Sequence, residues 1–188
     1  MAQAKVLDKE EVRRVLAVID AGTNAARNRI AFMLTIEAAM RVGEVAALTL
    51  SCVRDEDGKA VDVIELHSTQ TKGKRGRRVF VSKVLKRELE RYLATCEHIT
   101  GDKALVRSTK TGKAFSNVTL CTLFTGIYKK AGIRTTSHSG RRTKATRLNE
   151  YGVGMRTIQK LMGHRNIATT ALYCDVSDDQ LTNAVNLV

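Results

Sequence analysis

Apolar positions recur every three or four residues along most of this chain, and the period shortens to two in a single central region. Val12, Val15, Leu16 and Ile19 fall on one helical face. Asp8 with Glu11 three residues later opens that helix as a capping box, and Gly22 closes it. Asn24 is placed to cap a second helix through Ile30, Met33, Leu34 and Glu37, and a short third helix covers Gly43 to Leu48. From Val61 to Leu66 (VDVIEL) and from Arg78 to Val81 (RVFV) β-formers dominate, which predicts a hairpin with a long tip. Helical spacing then returns. Ser82 is the expected cap of a helix with Leu85, Leu89, Tyr92 and Leu93 inward. Ser116 caps another with Leu120, Leu123, Phe124 and Ile127 inward, ending at Gly132. Further helices are predicted from His138 to Tyr151 before Gly152, from Met155 to Met162 before Gly163, after Asn166, and from Ser177 with Gln180 completing a capping box.

These elements predict an α+β fold, mainly helical with a small antiparallel β-sheet. A length of 188 residues suffices for one domain with a proper core, and no Pro/Ser-rich linker or internal repeat divides it. No run of eighteen apolar residues exists, and Met1 to Lys5 lacks the apolar centre of a signal peptide, so the expected location is cytoplasmic. Cys52, Cys96, Cys121 and Cys174 are too far apart for CxxC metal pairs or a compact disulfide ladder, and read as buried thiols.

Charge narrows the picture. With 32 Lys and Arg against 19 Asp and Glu, the net charge of +13 favours a polyanionic partner such as DNA, RNA or an anionic membrane. Solvated helix faces alone are the competing explanation. The stretch Lys72-Gly73-Lys74-Arg75-Gly76-Arg77-Arg78 argues against it, because five cations in seven residues, with glycines that let the backbone bend, suit a loop laid along phosphates. Lys74, Arg75, Arg77 and Arg78 are therefore candidate phosphate contacts, and candidate DNA-binding residues where the polyanion is DNA.

Several polar residues fit badly as packing. Arg41 interrupts the apolar run IEAAMRVGEVAAL, His138 and Arg141 stand three apart at a helix start, and Lys72 opens the basic loop. Tyr173 lies nine residues beyond the pair Gly163-His164, in the polar run LMGHRNIATTALYCDV. Each has an ordinary reading by itself: a solvated arginine, a hydrogen-bonded histidine, a half-buried tyrosine.

Together they resemble the active site of the tyrosine site-specific recombinases, the family of phage integrases, chromosome-dimer resolvases and fimbrial-switch invertases. AMRVGEVAALTL resembles the family's first box, with Arg41 at its first arginine and Glu44 at its accompanying acidic position. Lys72 resembles the lysine of the β-hairpin, His138-Ser139-Gly140-Arg141 the HxxR box, Gly163-His164 its later half, and Tyr173 the nucleophile. The resemblance covers nearly the whole chain. It implies the recombinase catalytic-domain fold and a DNA strand transferase working through a covalent 3′-phosphotyrosine, with no cofactor, no metal and no ATP. It also implies double-stranded DNA as partner, a homo-tetramer on paired sites with C-terminal helix exchange as one means of coupling, and a bacterial or phage-encoded, nucleoid-associated protein.

The chemistry suits the residue types. Displacement at phosphorus adds negative charge to the nonbridging oxygens, and Arg41 and Arg141 offer planar, permanently charged forks to hold them. His164 adds a donor to the same phosphate, and His138 helps handle the nucleophile's proton. A tyrosine ordinarily ionises near pH 10, so neighbouring positive charge lowers the cost of using Tyr173. By resemblance, Lys72 protonates the leaving 5′ oxygen. No acidic cluster at ligand spacing calls for a metal, and activity in EDTA is expected.

Some positions depart from the family pattern. Gly140 replaces a common leucine, Arg142 a common histidine, and Ser137 and Phe80 common prolines. Gly140 weakens helix propensity by up to about 1 kcal/mol relative to Ala, which predicts a looser helix start. Arg142 joins the candidate DNA-binding residues. Only 40 residues precede Arg41, so the expectation is a single catalytic domain over 1–188 with no separate N-terminal core-binding domain. A DNA-binding regulator with an inactive recombinase fold and a type IB topoisomerase-like activity remain the alternatives. The terminal segment carries Leu181, Ala184, Val185 and Val188 on one side and suits docking on a neighbour or on its own domain.

Overall fold

The helix that organises the molecule is α2 (Ala25–Glu37), whose Ile30, Ala31, Phe32, Leu34 and Ile36 are buried on every side. A helix apolar all round must be surrounded. In the computed structural model, which describes residues 4–71, 75–96, 99, 102–173 and 178–186, α1 (Lys9–Asp20), α4 (Lys83–Ala94) and α6 (Ser139–Glu150) pack around it. The short α3 (Val42–Ala46) follows α2, and α5 (Asn117–Lys130) packs on α1 and α3. Phe32 meets Tyr128 edge-on at 6.4 Å between ring centroids, and Phe124 lies 6.4 Å from the same ring, so aromatic contacts join α2 to α5.

The caps explain where most helices begin. The Asp8 carboxylate accepts the Glu11 amide at 2.7 Å, and Glu11 accepts the Asp8 amide at 3.2 Å. Ser82 and Ser116 accept the amides of Leu85 and Thr119 at 3.2 and 3.0 Å. Asn24 corrects its predicted role. It takes a left-handed φ of 60° and makes no capping bond, so it turns the chain between α1 and α2 as one of the few residue types tolerant of that conformation.

The hairpin is present, with β1 (Val63–Leu66) antiparallel to β2 (Arg77–Phe80) and Leu66 opposite Arg77. Its first strand is shorter than the apolar run, because the Val61 amide bonds to the Val53 carbonyl at 3.1 Å instead. Period-two alternation buries Ile64, Leu66 and Val79 and exposes Glu65, Arg78 and Phe80. Sequence patterning missed one connection. The Leu50 amide donates to the Lys103 carbonyl at 2.9 Å and the Leu105 amide to the Leu48 carbonyl at 2.8 Å, in segments too short to show a period.

The C-terminal part forms a smaller layer. Helices α7 (Met155–Met162), α8 (Ile167–Ala171) and α9 (Asp178–Val185) follow α6, and Ala39, Ala145, Ile158 and Met162 make a second apolar cluster. Gly140 has a packing role at the start of α6. A Cβ there would meet Thr35 Oγ1 at 2.4 Å, so the glycine marks where α6 presses against α2. Cys96 is buried, Cys52 and Cys121 are half-buried, and all three are free thiols, whereas Cys174, Ser177 and Val188 lie outside the described residues. Among the described residues no helix is long and apolar enough to cross a membrane.

Candidate active site

The site is built around the C-terminus of α7. The last carbonyls of an α-helix have no partner within it and carry partial negative charge. Here Gly163 turns the chain at a left-handed φ of 62°, which lets the His164 amide reach the Gln159 carbonyl at 3.1 Å and the Gly163 amide reach Lys160 at 3.1 Å. Each of the next three carbonyls is met by a different arginine. Arg77 donates to Leu161 at 2.9 Å, Arg141 to Met162, and Arg41 to Gly163 at 3.3 Å. Residues distant in the chain are thereby drawn to one point.

Arg41 reaches that point from the turn after α2. Ala39 there adopts φ 51°, a conformation that costs a non-glycine residue about 1–2 kcal/mol and persists only where its surroundings hold it. Arg141 supplies part of that hold by donating to the Ala39 carbonyl. Arg41 stands at the cap of α3, and its spacing to Glu44 is that of one helical turn. The Glu44 carboxylate accepts the Arg41 amide at 2.8 Å and its guanidinium at 2.9 Å, then Arg77 at 2.7 and 3.2 Å. Glu44 is only 1% exposed. Burial alone would raise its carboxyl, but the hydrogen bonds and charge of Arg77, followed by those of Arg41, hold it below the usual carboxylate range.

Arg141 is different. It is 4% exposed and, among the described residues, has no carboxylate within ion-pair distance; carbonyl oxygens satisfy it instead. Burial, then the charge of Arg41, pushes its pKa down to about 9. It therefore remains charged at neutral pH, as a desolvated cation whose best available partner is an incoming anion. Arg41 keeps 30% of its side chain open to solvent beside it.

His164 and Tyr173 complete the group. His164 Nδ1 lies 2.9 Å from Thr170 Oγ1, and its ring stacks on that of Tyr173 with centroids 5.8 Å apart. Burial first, then the charges of Arg141, Arg41 and Arg77, pushes the imidazole down to about 4, so at neutral pH it is an uncharged donor. Tyr173 follows α8, packs against the small apolar cluster, and has the Arg142 guanidinium 5.4 Å from its ring centroid. His138 stands at the N-cap of α6 and shares with Arg41, Glu44, Gln70, Thr71 and Asn117 the wall of a cavity of about 540 Å³.

Not every predicted site residue lies where a loop reading puts it. Arg75 and Arg78 are exposed on the hairpin, Arg78 paired with Glu65 at 3.0 Å. Arg77 turns inward to Glu44 and Leu161 rather than outward with them. Its alternation with buried Val79 was the signal for this, hidden by the cations on either side. Thr170 and Gln159, whose amide donates to the His164 carbonyl at 3.1 Å, were not singled out from sequence. Lys72 and Lys74 lie outside the described residues.

Residues 5–180 match the phage integrase family. The chain belongs to that family. Among its relatives, the tyrosine recombinase XerA of Pyrococcus horikoshii is 30% identical over 181 residues, covering 96% of this chain and 60% of XerA. The XerA of Thermococcus onnurineus is 33% identical over 184 residues, covering 96% of this chain and 61% of that one. The crystal structure of a XerA recombinase superimposes with a TM-score of 0.78 at 25% identity, covering all of this chain and 66% of the other. A XerH recombinase bound to its palindromic difH substrate shares the fold at a TM-score of 0.72, with 96% of this chain and 51% of that one covered. This integrase-family chain thus spans about 60% of the length of these two XerA relatives.

Proposed function

We propose that this chain is the catalytic domain of a site-specific DNA recombinase that cuts and rejoins strands through a phosphotyrosine on Tyr173. The observation that carries the proposal is the meeting of Arg41, Arg141 and His164 at the end of α7, with Tyr173 stacked on His164. The two guanidinium groups hold the nonbridging oxygens of the scissile phosphate, and each stabilises the charge that grows there in the transition state. Neutral His164 donates a further hydrogen bond. The Tyr173 oxygen bonds to phosphorus as the bond to the 5′ oxygen breaks, and His138, facing the adjoining cavity, receives the phenolic proton. Lys72 protonates the departing 5′ oxygen, a role resting on resemblance alone. The phosphoester energy is kept in the link, so rejoining needs no ATP.

Incubating the protein with a library of nicked duplexes of randomised core tests this, because a nick lets the short cut fragment diffuse away and traps the adduct. Wild type should yield a detergent-stable protein–DNA link that Tyr173→Phe lacks while still binding DNA. Equal linkage by both proteins would refute the reading; relaxed supercoils without strand exchange between two sites would favour a topoisomerase. The action in a tetramer belongs to the same proposal. Leu181 and Val185 on α9 are 55% and 76% exposed, an apolar stripe suited to a neighbouring protomer. Replacing both by Asp should spare binding to one site and impair joining of two; undiminished joining would exclude that contact.

A further inference from the structure

We propose that Arg77 is a positioning residue, which holds Arg41 and the α7 terminus in the geometry for phosphate attack rather than binding DNA from the hairpin loop. This rests on the recombinase reading above. Three observations support it. First, the guanidinium is fully engaged inward: it bonds both Glu44 oxygens at 2.7 and 3.2 Å and the Leu161 carbonyl at 2.9 Å, and its side chain is 11% exposed. Second, the space for it is reserved by a missing side chain, since a Cβ on Gly163 would come within 2.6 Å of Arg77 Cδ. Third, Arg77 is the first residue of β2, opposite Leu66, so one side chain fastens the loop end of the hairpin ladder, five residues from Lys72, to the helix end that Arg41 and Arg141 also cap.

The electrostatic consequence concerns Arg41. Glu44 is a buried carboxylate shared between two guanidinium groups. With Arg77 present, the Glu44 charge is largely met by it, and Arg41 keeps donors for a phosphate. Without Arg77, the buried carboxylate turns to Arg41 alone and competes with the substrate for the same fork. Attack then slows because the donors are misdirected, while the outer cations that supply most of the binding remain.

The test uses the nicked duplex captured by the wild-type protein. Arg77→Gln should slow adduct formation by about 10- to 100-fold, with DNA affinity, measured in the Tyr173→Phe background, held within about twofold. Arg77→Lys, which keeps the charge but not the second bond, should fall between. The double variant Glu44→Gln with Arg77→Gln should be no slower than the slower single variant, because the two act through one contact. An affinity loss with a salt slope reduced by about one would make Arg77 a phosphate ligand and overturn the inference. Unchanged adduct rates, or costs that simply multiply with Glu44→Gln, would overturn it as well. If Arg77→Gln does not fold, Arg77→Lys and Glu44→Gln carry the same test on rate against affinity. Absence of any wild-type adduct would fell the recombinase reading and this inference with it; normal wild-type linkage with an indifferent Arg77 would fell this inference only.

Discussion

The core around α2 and the layer around α7 are held together by different means. Around α2, Phe32, Leu34, Leu85, Leu89 and Phe124 interlock with little polar content. Around α7, a small buried cluster of Ala39, Ala145, Ile158 and Met162, with Leu148, Val153 and Tyr173 packed on it, is joined by three arginines and a glutamate. Apolar contacts are non-directional, so the first region fixes a shape. Charged hydrogen bonds have defined lengths and angles, so the second fixes the aim of particular atoms. The molecule separates shape-giving packing from the placement of individual polar atoms along this line.

Three changes would break or sharpen that division. The largest effect should come from Phe124→Ala, which opens a cavity in the α2 core and should lower unfolding free energy by about 3–5 kcal/mol. Denaturant titration measures it, and a loss under about 1 kcal/mol would show that this core is not the main source of stability. Next is Arg141→Lys. A lysine cannot reach the Ala39 and Met162 carbonyls together, and adduct formation should drop by about 10²- to 10³-fold. Unfolding free energy should move by less than about 2 kcal/mol. A loss of stability as large as that of Phe124→Ala would erase the distinction between the regions.

The smallest effect is that of pH on His164. Its folded pKa of about 4 lies below the ordinary 6.5, so between those values the unfolded chain binds more protons than the folded one. The contribution is therefore fully present above pH 6.5 and is lost as pH falls toward 4. Burial of the ring is the first cause of the lowered pKa, followed by the charges of Arg141, Arg41 and Arg77, opposed by Glu44. NMR titration of the ring without DNA should give a midpoint well below 6; one near 6.5 would mean that the arginine cluster does not act on it. His164→Gln should flatten the decline in stability over the same range.

Much of the α2 core was legible because burial repeats with the helix period: Val15 and Ile19, Leu85 and Leu89, Leu120 and Phe124 each sit one turn apart. The caps at Asp8, Ser82 and Ser116 were legible for the same local reason. The candidate site was proposed differently, through the resemblance of Arg41, His138, Arg141, His164 and Tyr173 to a known pattern, since nothing periodic connects residues so far apart. What could not be read is what depends on approach in space. Asn24 offers a capping side chain, yet its backbone conformation removes it from that use. Arg77 carries the same charge as Arg75 and Arg78, and only a carboxylate 33 residues away distinguishes it. Arg142 gave no hint that it lies over the Tyr173 ring, because α8 and the turn after it bring the two together.

The glycine at position 140 has a further consequence. A first side-chain carbon there would lie 2.4 Å from Thr35 Oγ1 and 3.1 Å from Thr35 Cβ, closer than a packed interior allows, so even a methyl group would force Thr35 or α6 itself to shift. Arg141 is the very next residue, so a shift of α6 would pass directly into the reach of its fork. One absent carbon therefore acts as a spacing gauge for the Arg141 guanidinium, set by how closely α6 approaches α2.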